Sequence, residues 1–199
     1  ATSTDLMQWN PYPDPIFECG QVPWSFCDST VNASAFRDPF VMPDPAVPGD
    51  WLMTYSTSPD IDSLGMIMGV ARSHGDFTQW QDANAMWITH HWYTGEWQTE
   101  STHMFERDGL WYLFFSTGGA QPISFATGPD PLGEPESWTY RGRLGTMLGI
   151  NTQAWFASEF LRDGLNDYFC YINGDRVGRQ ATPHDAPVLR EERAAVISG

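Results

Sequence analysis

Short extended runs pattern this chain, and they come in a repeating order. Ala35-Phe36-Arg37-Asp38-Pro39-Phe40-Val41, Thr99-Glu100-Ser101-Thr102-His103-Met104-Phe105 and Ala157-Ser158-Glu159-Phe160-Leu161 each place a carboxylate just before a short apolar strand. A second run follows each, almost wholly aromatic and aliphatic: Trp51 to Tyr55, Trp111 to Phe115 and Tyr168 to Ile172. A third strand comes next in two of the units, Met66 to Ala71 and Ile123 to Ala126. The acids Asp38, Glu100 and Glu159 recur at intervals of 62 and 59 residues. That period is longer than a helical solenoid repeat and suits an elaborated four-stranded propeller blade. Blades set around one axis bring their innermost strands together, so acids distant in sequence would converge at one centre.

After the third strand each unit passes through a small-residue turn to a tryptophan, Asp76 to Trp80 in one and Asp130 to Trp138 in the next. Asp and Ser close such turns by accepting nearby backbone N–H groups, and the indole packs on a neighbouring blade. Asp5 to Trp9 has the same Asp-x-x-x-Trp spacing as Asp76 to Trp80. The first residues therefore read as the tail of a blade whose inner strands lie outside the chain. The expected division is a blade tail over 1–16, blades over 35–82 and 99–140, a partial blade over 153–180 and a tail over 181–199. An all-β fold follows, with blades of four antiparallel strands in a partial propeller.

Composition agrees with this. Ten Trp, 12 Phe and 7 Tyr in 199 residues supply a large aromatic core, while 18 Gly and 15 Pro oppose long helices. Helical spacing of apolar positions is confined to the last residues, Pro187 to Ile197. A formal charge of −15, from 25 acids and 10 bases, argues against nucleic acid and against an anionic membrane surface. A neutral ligand remains open. No apolar run is long enough to span a bilayer.

Cys19 and Cys27 share one loop and can form a disulfide if the protein is exported, and a secreted or periplasmic location is favoured over a cytoplasmic one. Cys170 reads as a buried thiol. The neighbours His90 and His91 would point to opposite faces of an extended segment, which opposes a shared metal. No cofactor is required; a structural calcium held by carboxylates is compatible with the acidic balance, with no metal ligands assigned.

The segments joining the units are rich in rings. Trp24, Trp92 and Trp97 are candidate platforms for the carbon-rich face of a sugar, against the alternative that they wedge between blades. Asp38 would stand where an innermost strand begins, with Arg37 beside it to keep it ionised, against the alternative that Arg37 and Asp38 only tie neighbouring blades together. Glu100 takes the corresponding place one unit later, among Trp97, Met104 and Phe105, surroundings that favour a proton donor. His103 is either a hydrogen-bonding partner or a packed core histidine, and Glu159 either binds a substrate hydroxyl, caps a turn or pairs with an arginine.

Arg37-Asp38-Pro39 followed by Trp51 to Ser56, and Glu100 to Phe105 followed by Asp108-Gly109-Leu110-Trp111-Tyr112-Leu113-Phe114-Phe115-Ser116, resemble the five-bladed propeller glycoside hydrolases, those of family 43 (arabinanases and xylosidases) and the related family 32 fructosidases. The resemblance runs from Ala1 to about Gln180. It implies a glycosidase using three acids from successive blades. The second-blade Asp, matching Asp38, positions the sugar and tunes its partner; the third-blade Glu, matching Glu100, is the general acid. The first-blade Asp, base or nucleophile, has no counterpart here, since Asp14-Pro15 follows Trp9 and lies in an inter-blade segment. The Glu100 motif lacks the Glu-Cys-Pro form of the fructosidases, which favours the family 43 side. Arg37, Trp24, Trp92, Trp97, His103 and Glu159 are then expected to contact a carbohydrate substrate. A catalytically silent, glycan-binding propeller is the competing expectation.

Overall fold

The computed structural model describes residues 1–28, 36–59, 66–87, 99–117, 123–144, 155–163 and 166–173. Pro187 to Ile197, His90, His91, Trp92 and Trp97 lie outside them. Of the described residues, ten strands form three antiparallel sheets. The first sheet runs β1 (Phe36–Pro43), β2 (Trp51–Thr57), β3 (Ile67–Ser73) and β4 (Gln81–Trp87), in that spatial order. The second repeats the arrangement with β5 (Thr99–Arg107), β6 (Leu110–Thr117), β7 (Ile123–Gly128) and β8 (Thr139–Arg143). In the third, β9 (Trp155–Asp163) pairs with β10 (Asn166–Asn173). Each sheet is a meander, as a propeller blade requires.

The aromatic runs become the second strands because those strands are covered on both faces. From Leu52 to Thr57 every residue of β2 is buried, and Trp111, Leu113, Phe114 and Phe115 of β6 are buried as well. Such strands lose the polar alternation of a half-wet sheet. One face of the first sheet, with Leu52, Met68 and Val70, packs on Met104, Trp111, Leu113 and Phe115 of the second. Its other face, with Met53, Tyr55 and Ala71, is covered by Ile16, Phe17, Val22 and Trp24 from the N-terminal segment. The far face of the second sheet is a stack of rings: Phe105 lies on Tyr112 at 5.3 Å and Phe114 on Phe125 at 5.3 Å. β9 lies against β5, β6 and β7.

Polar groups also join the first two sheets. The buried Thr54 hydroxyl donates to the Thr102 carbonyl at 3.1 Å and accepts from the Thr102 hydroxyl at 3.2 Å. The Thr99 N–H donates to the Met66 carbonyl at 3.2 Å. Their partners satisfy groups that burial would otherwise leave costly. β5 and β6 turn through Asp108 and Gly109, both at positive φ (55° and 76°), the two-residue hairpin chemistry that Asp-Gly favours.

Cys19 and Cys27 form the disulfide. Among the described residues no helix is long and apolar enough to cross a membrane.

Candidate active site

The site is built on a backbone irregularity that all three sheets share. The register of β1 against β2 slips between Arg37 and Phe40, and that of β5 against β6 slips between Glu100 and His103. The register of β9 against β10 slips in the same way between Phe156 and Glu159. One extra residue enters the first strand of each sheet as a β-bulge, which kinks the strand and re-aims the side chains beyond it. At the first two bulges the extra residue is left-handed, Asp38 at φ 58° and Ser101 at φ 50°. Such a conformation costs a non-glycine residue roughly 1–2 kcal/mol, with Asp among the more tolerant. Pro39 fits beside Asp38 because a bulge does not require its missing N–H.

These registers revise the alignment of acids. Arg37, Glu100 and Phe156 are equivalent, each preceding its bulge; Asp38 matches Ser101; Phe40, His103 and Glu159 follow the bulge together. The three acids therefore occupy three different places in the repeat. The spacing of carboxylates missed this because the ladder, rather than the charge, sets the period. Arg37 and Glu100 are 63 residues apart.

The equivalent positions meet across the blade interface. An Arg37 guanidinium nitrogen donates to Glu100 Oε1, and Arg37 Nε stands 3.8 Å from Asp38 Oδ2. Asp38 Oδ2 accepts the Ser101 N–H at 3.0 Å, so the two left-handed residues are tied to each other. Phe40 meets His103 edge-on at 5.5 Å. One guanidinium thus links both carboxylates. Its principal partner is Glu100, where the sequence pointed to Asp38. With the side chains 45% (Arg37), 28% (Asp38) and 28% (Glu100) exposed, the pair contributes about 0–1 kcal/mol. Its importance is positional.

A cavity of about 170 Å³ opens beside this junction. The β1 bulge supplies Asp38, Pro39 and Phe40 to its wall, the β5 bulge supplies Ser101, Thr102 and His103, and β9 supplies the exposed Glu159. Sequence reasoning named Asp38, His103 and Glu159 but missed Pro39, Phe40, Ser101 and Thr102. Their signal was available in the equivalence of the first strands, where each marked acid has bulge neighbours. His103 is a packed ring, 1% exposed and stacked on Phe114 at 5.4 Å, with access to the cavity wall.

Trp24 is placed elsewhere. Its indole stacks on Tyr55 at 6.2 Å, donates to Asp82 Oδ2 at 2.9 Å and packs over Gly69. It covers the outer face of the first sheet and does not line the cavity, so the expectation of a sugar platform there is corrected to a packing role. The reason lies in Asp82, which also accepts the Tyr55 hydroxyl at 3.2 Å and anchors both rings. Burial, with the Asp82 charge beside it, pushes the Tyr55 phenol well above its ordinary range. The expectations for Trp92 and Trp97 fall outside the described residues.

The carboxylates at the junction do not offer a metal a ligand set. Asp38 and Glu100 face a guanidinium, and among the described residues no three His, Cys, Asp or Glu side chains converge to hold an ion.

No protein-family model matches the sequence, and no curated protein is similar enough to match. Solved structures do match the fold. The chain is similar to a thermostable family-43 glycoside hydrolase (TM-score 0.51, 17% identity, covering 69% of this chain and 48% of that one). It is also similar to Zg3597, a family 117 glycoside hydrolase of the marine bacterium Zobellia galactanivorans (TM-score 0.54, 16% identity, 74% and 51% covered). A third is the GH43_1 enzyme of Xanthomonas citri complexed with xylotriose (TM-score 0.51, 17% identity, 75% and 43% covered). These likenesses show the fold alone, an all-β fold of propeller blades. The chain spans about half the length of these structures.

Proposed function

We propose that this chain carries part of the active site of a glycoside hydrolase acting on a neutral oligo- or polysaccharide, of the family 43 kind. The observation that supports it is the junction at the two bulges, where Arg37 links Asp38 and Glu100 and Asp38 also lines the cavity, while Arg37 and Glu100 are not among its lining residues. In this reading Glu100 protonates the glycosidic oxygen, and Asp38, fixed by the Ser101 N–H, orients the sugar ring. The mechanism also needs a water-activating or nucleophilic carboxylate, to which no described residue is assigned. Glu159 and Arg37 contact hydroxyls, and His103 supports the cavity wall. The disulfide suits an exported protein.

Arg37 imposes a condition on this chemistry. Its guanidinium occupies Glu100 Oε1, so that contact must open before Glu100 can reach a glycosidic oxygen. That same contact favours the second reading, a glycan-binding propeller in which the pair never opens. Hydrolysis separates the two. Glu100→Gln, assayed with oligosaccharides, should lower turnover by about 10²–10⁴-fold while leaving sugar binding and thermal stability near wild type. Full activity in that variant would exclude Glu100 as the acid. Binding without turnover in both proteins would establish the silent propeller.

A further inference from the structure

Residues 16–27 cross the outer face of the first sheet as a strap whose regular structure is a single 3₁₀ turn over Cys19–Gln21. Ile16, Phe17 and Trp24 are half-buried on that face and Val22 is buried. The disulfide closes the loop from Cys19 to Cys27, with Ser25 inside it. A disulfide sulfur carries no hydrogen, so the Ser25 hydroxyl donates to Cys19 Sγ at 3.0 Å. Ser25 Oγ then accepts the hydroxyl of the buried Thr57. Beside it the Phe26 N–H donates to the Ser58 carbonyl at 2.8 Å, and Ser25 bridges Pro59.

The strap is thus tied to the stretch of β2 that faces the first bulge. Thr57 is the register partner of Phe36, and Ser56 that of Arg37. From the strap, Phe17 meets the Phe36 ring at 5.3 Å, and Tyr55 meets the same ring at 5.0 Å. Successive residues of a strand face opposite ways, so a grip on Phe36 fixes the backbone from which Arg37 reaches Glu100. Cys27 is exposed and Cys19 half-buried, so an attacking thiolate meets Cys27 first.

We propose that Cys19–Cys27 is a thiol–disulfide exchange site through which a dithiol reductant releases the strap and frees Arg37 from its fixed place at the junction. One thiolate of the dithiol attacks Cys27 Sγ, and the S–S bond breaks with its electron pair leaving on Cys19 Sγ. The Ser25 hydroxyl bonds to that leaving thiolate, which then takes a proton from water. The second sulfur of the dithiol attacks the mixed disulfide, expels Cys27 as a thiolate that is protonated in turn, and closes the reductant's own disulfide. The dithiol gives up two electrons and two protons, and the chain gains two thiols. Once open, the loop recovers the freedom that the cross-link removed, and half-buried rings are left to hold it. The junction is therefore set in an oxidising compartment and loosened in a reducing one. The consequence for sugars rests on the junction being a sugar site; the release of Arg37 does not.

The test compares the 199-residue protein before and after reduction with dithiothreitol, alongside a Cys19→Ser/Cys27→Ser variant without reductant. In both opened forms amide exchange at Phe26 and Ser101 should quicken about tenfold or more and the Arg37 Nε resonance should move, while Leu113 keeps its protection. Ser25→Ala keeps the disulfide but removes the donor to the leaving sulfur, and should slow the reduction about threefold or more. Reduction that leaves Ser101 and Arg37 unmoved would overturn the proposal. So would exchange rising equally at Leu113, which would make the disulfide a stabiliser of the whole fold, or a disulfide that dithiothreitol does not open. Neutral oligosaccharides should bind the oxidised protein more tightly than the reduced one. Movement at Ser101 and Arg37 with no sugar bound in either state would uphold the exchange site and count against the sugar site alone.

Discussion

In the first sheet the bulge of β1 carries Arg37, Asp38 and Phe40; in the second the bulge of β5 carries Glu100, Ser101 and His103 at the same register positions. The backbones agree down to the left-handed residue, and the side chains are complementary instead of alike. A cation faces an anion, a carboxylate faces an N–H, and a phenyl ring faces an imidazole. Neighbouring blades present equivalent positions to each other, so copies of one side chain would set like charges together. The repeated fold places different chemistry at one kink while the kink itself stays constant.

Substitutions can separate the roles of the two bulges from the core that holds them together. After the loss of turnover expected for Glu100→Gln, the largest effect belongs to the interface. Leu113→Ala, at a position 1% exposed between the first two sheets, should cost about 2–5 kcal/mol in denaturant unfolding. A cost below about 1 kcal/mol would mean that the sheets do not share a core.

The paired bulges should then respond differently to glycine. Ser101→Gly relieves the left-handed backbone and keeps the N–H donated to Asp38, so stability should rise or hold within about 1 kcal/mol. Asp38→Gly relieves the same conformation but removes the acceptor and a partner of Arg37, and should be the less stable of the two. Equal melting temperatures for the two variants would show that the carboxylate contributes nothing to the junction.

The smallest effect lies in the duplicated turns. The Gln8 and Met7 N–H groups, with the Ser3 hydroxyl, hold the Asp5 carboxyl below its ordinary range, and the Thr78 hydroxyl and N–H do the same for Asp76. A depressed carboxylate stabilises its turn above the ordinary value of about 3.9 and loses that support as pH falls through the folded value. Amide exchange at Met7 and Thr78, corrected for intrinsic rates, should therefore rise in parallel below about pH 4. Acceleration of one turn alone would break their equivalence.

The inner strands were legible because burial on both faces leaves an uninterrupted apolar run. Trp51 to Tyr55 and Trp111 to Phe115 lie within β2 and β6, and the third-strand runs overlap β3 and β7. The outermost strands were not. β8, Thr-Tyr-Arg-Gly-Arg, alternates exposed and half-buried residues, and β4 runs through Gln81-Asp82-Ala83-Asn84 with little to distinguish it from a loop. The site was half legible. Acids near strand starts pointed to Asp38, Glu100 and Glu159, yet a bulge inserts its residue without a sequence mark when Asp or Ser replaces glycine. Trp24 misled for a related reason, since an indole in a connecting segment gives no sign of the Asp82 contact that claims it.

The central claim is that the bulges of adjacent blades form one sugar-binding junction. Titrating the protein with a panel of neutral oligosaccharides while following backbone amide resonances tests it most directly. The account predicts that Asp38, Phe40, Ser101, Thr102, His103 and Glu159 shift together with a single saturation curve. Shifts confined to other surfaces, or separate curves for the β1 and β5 residues, would contradict it.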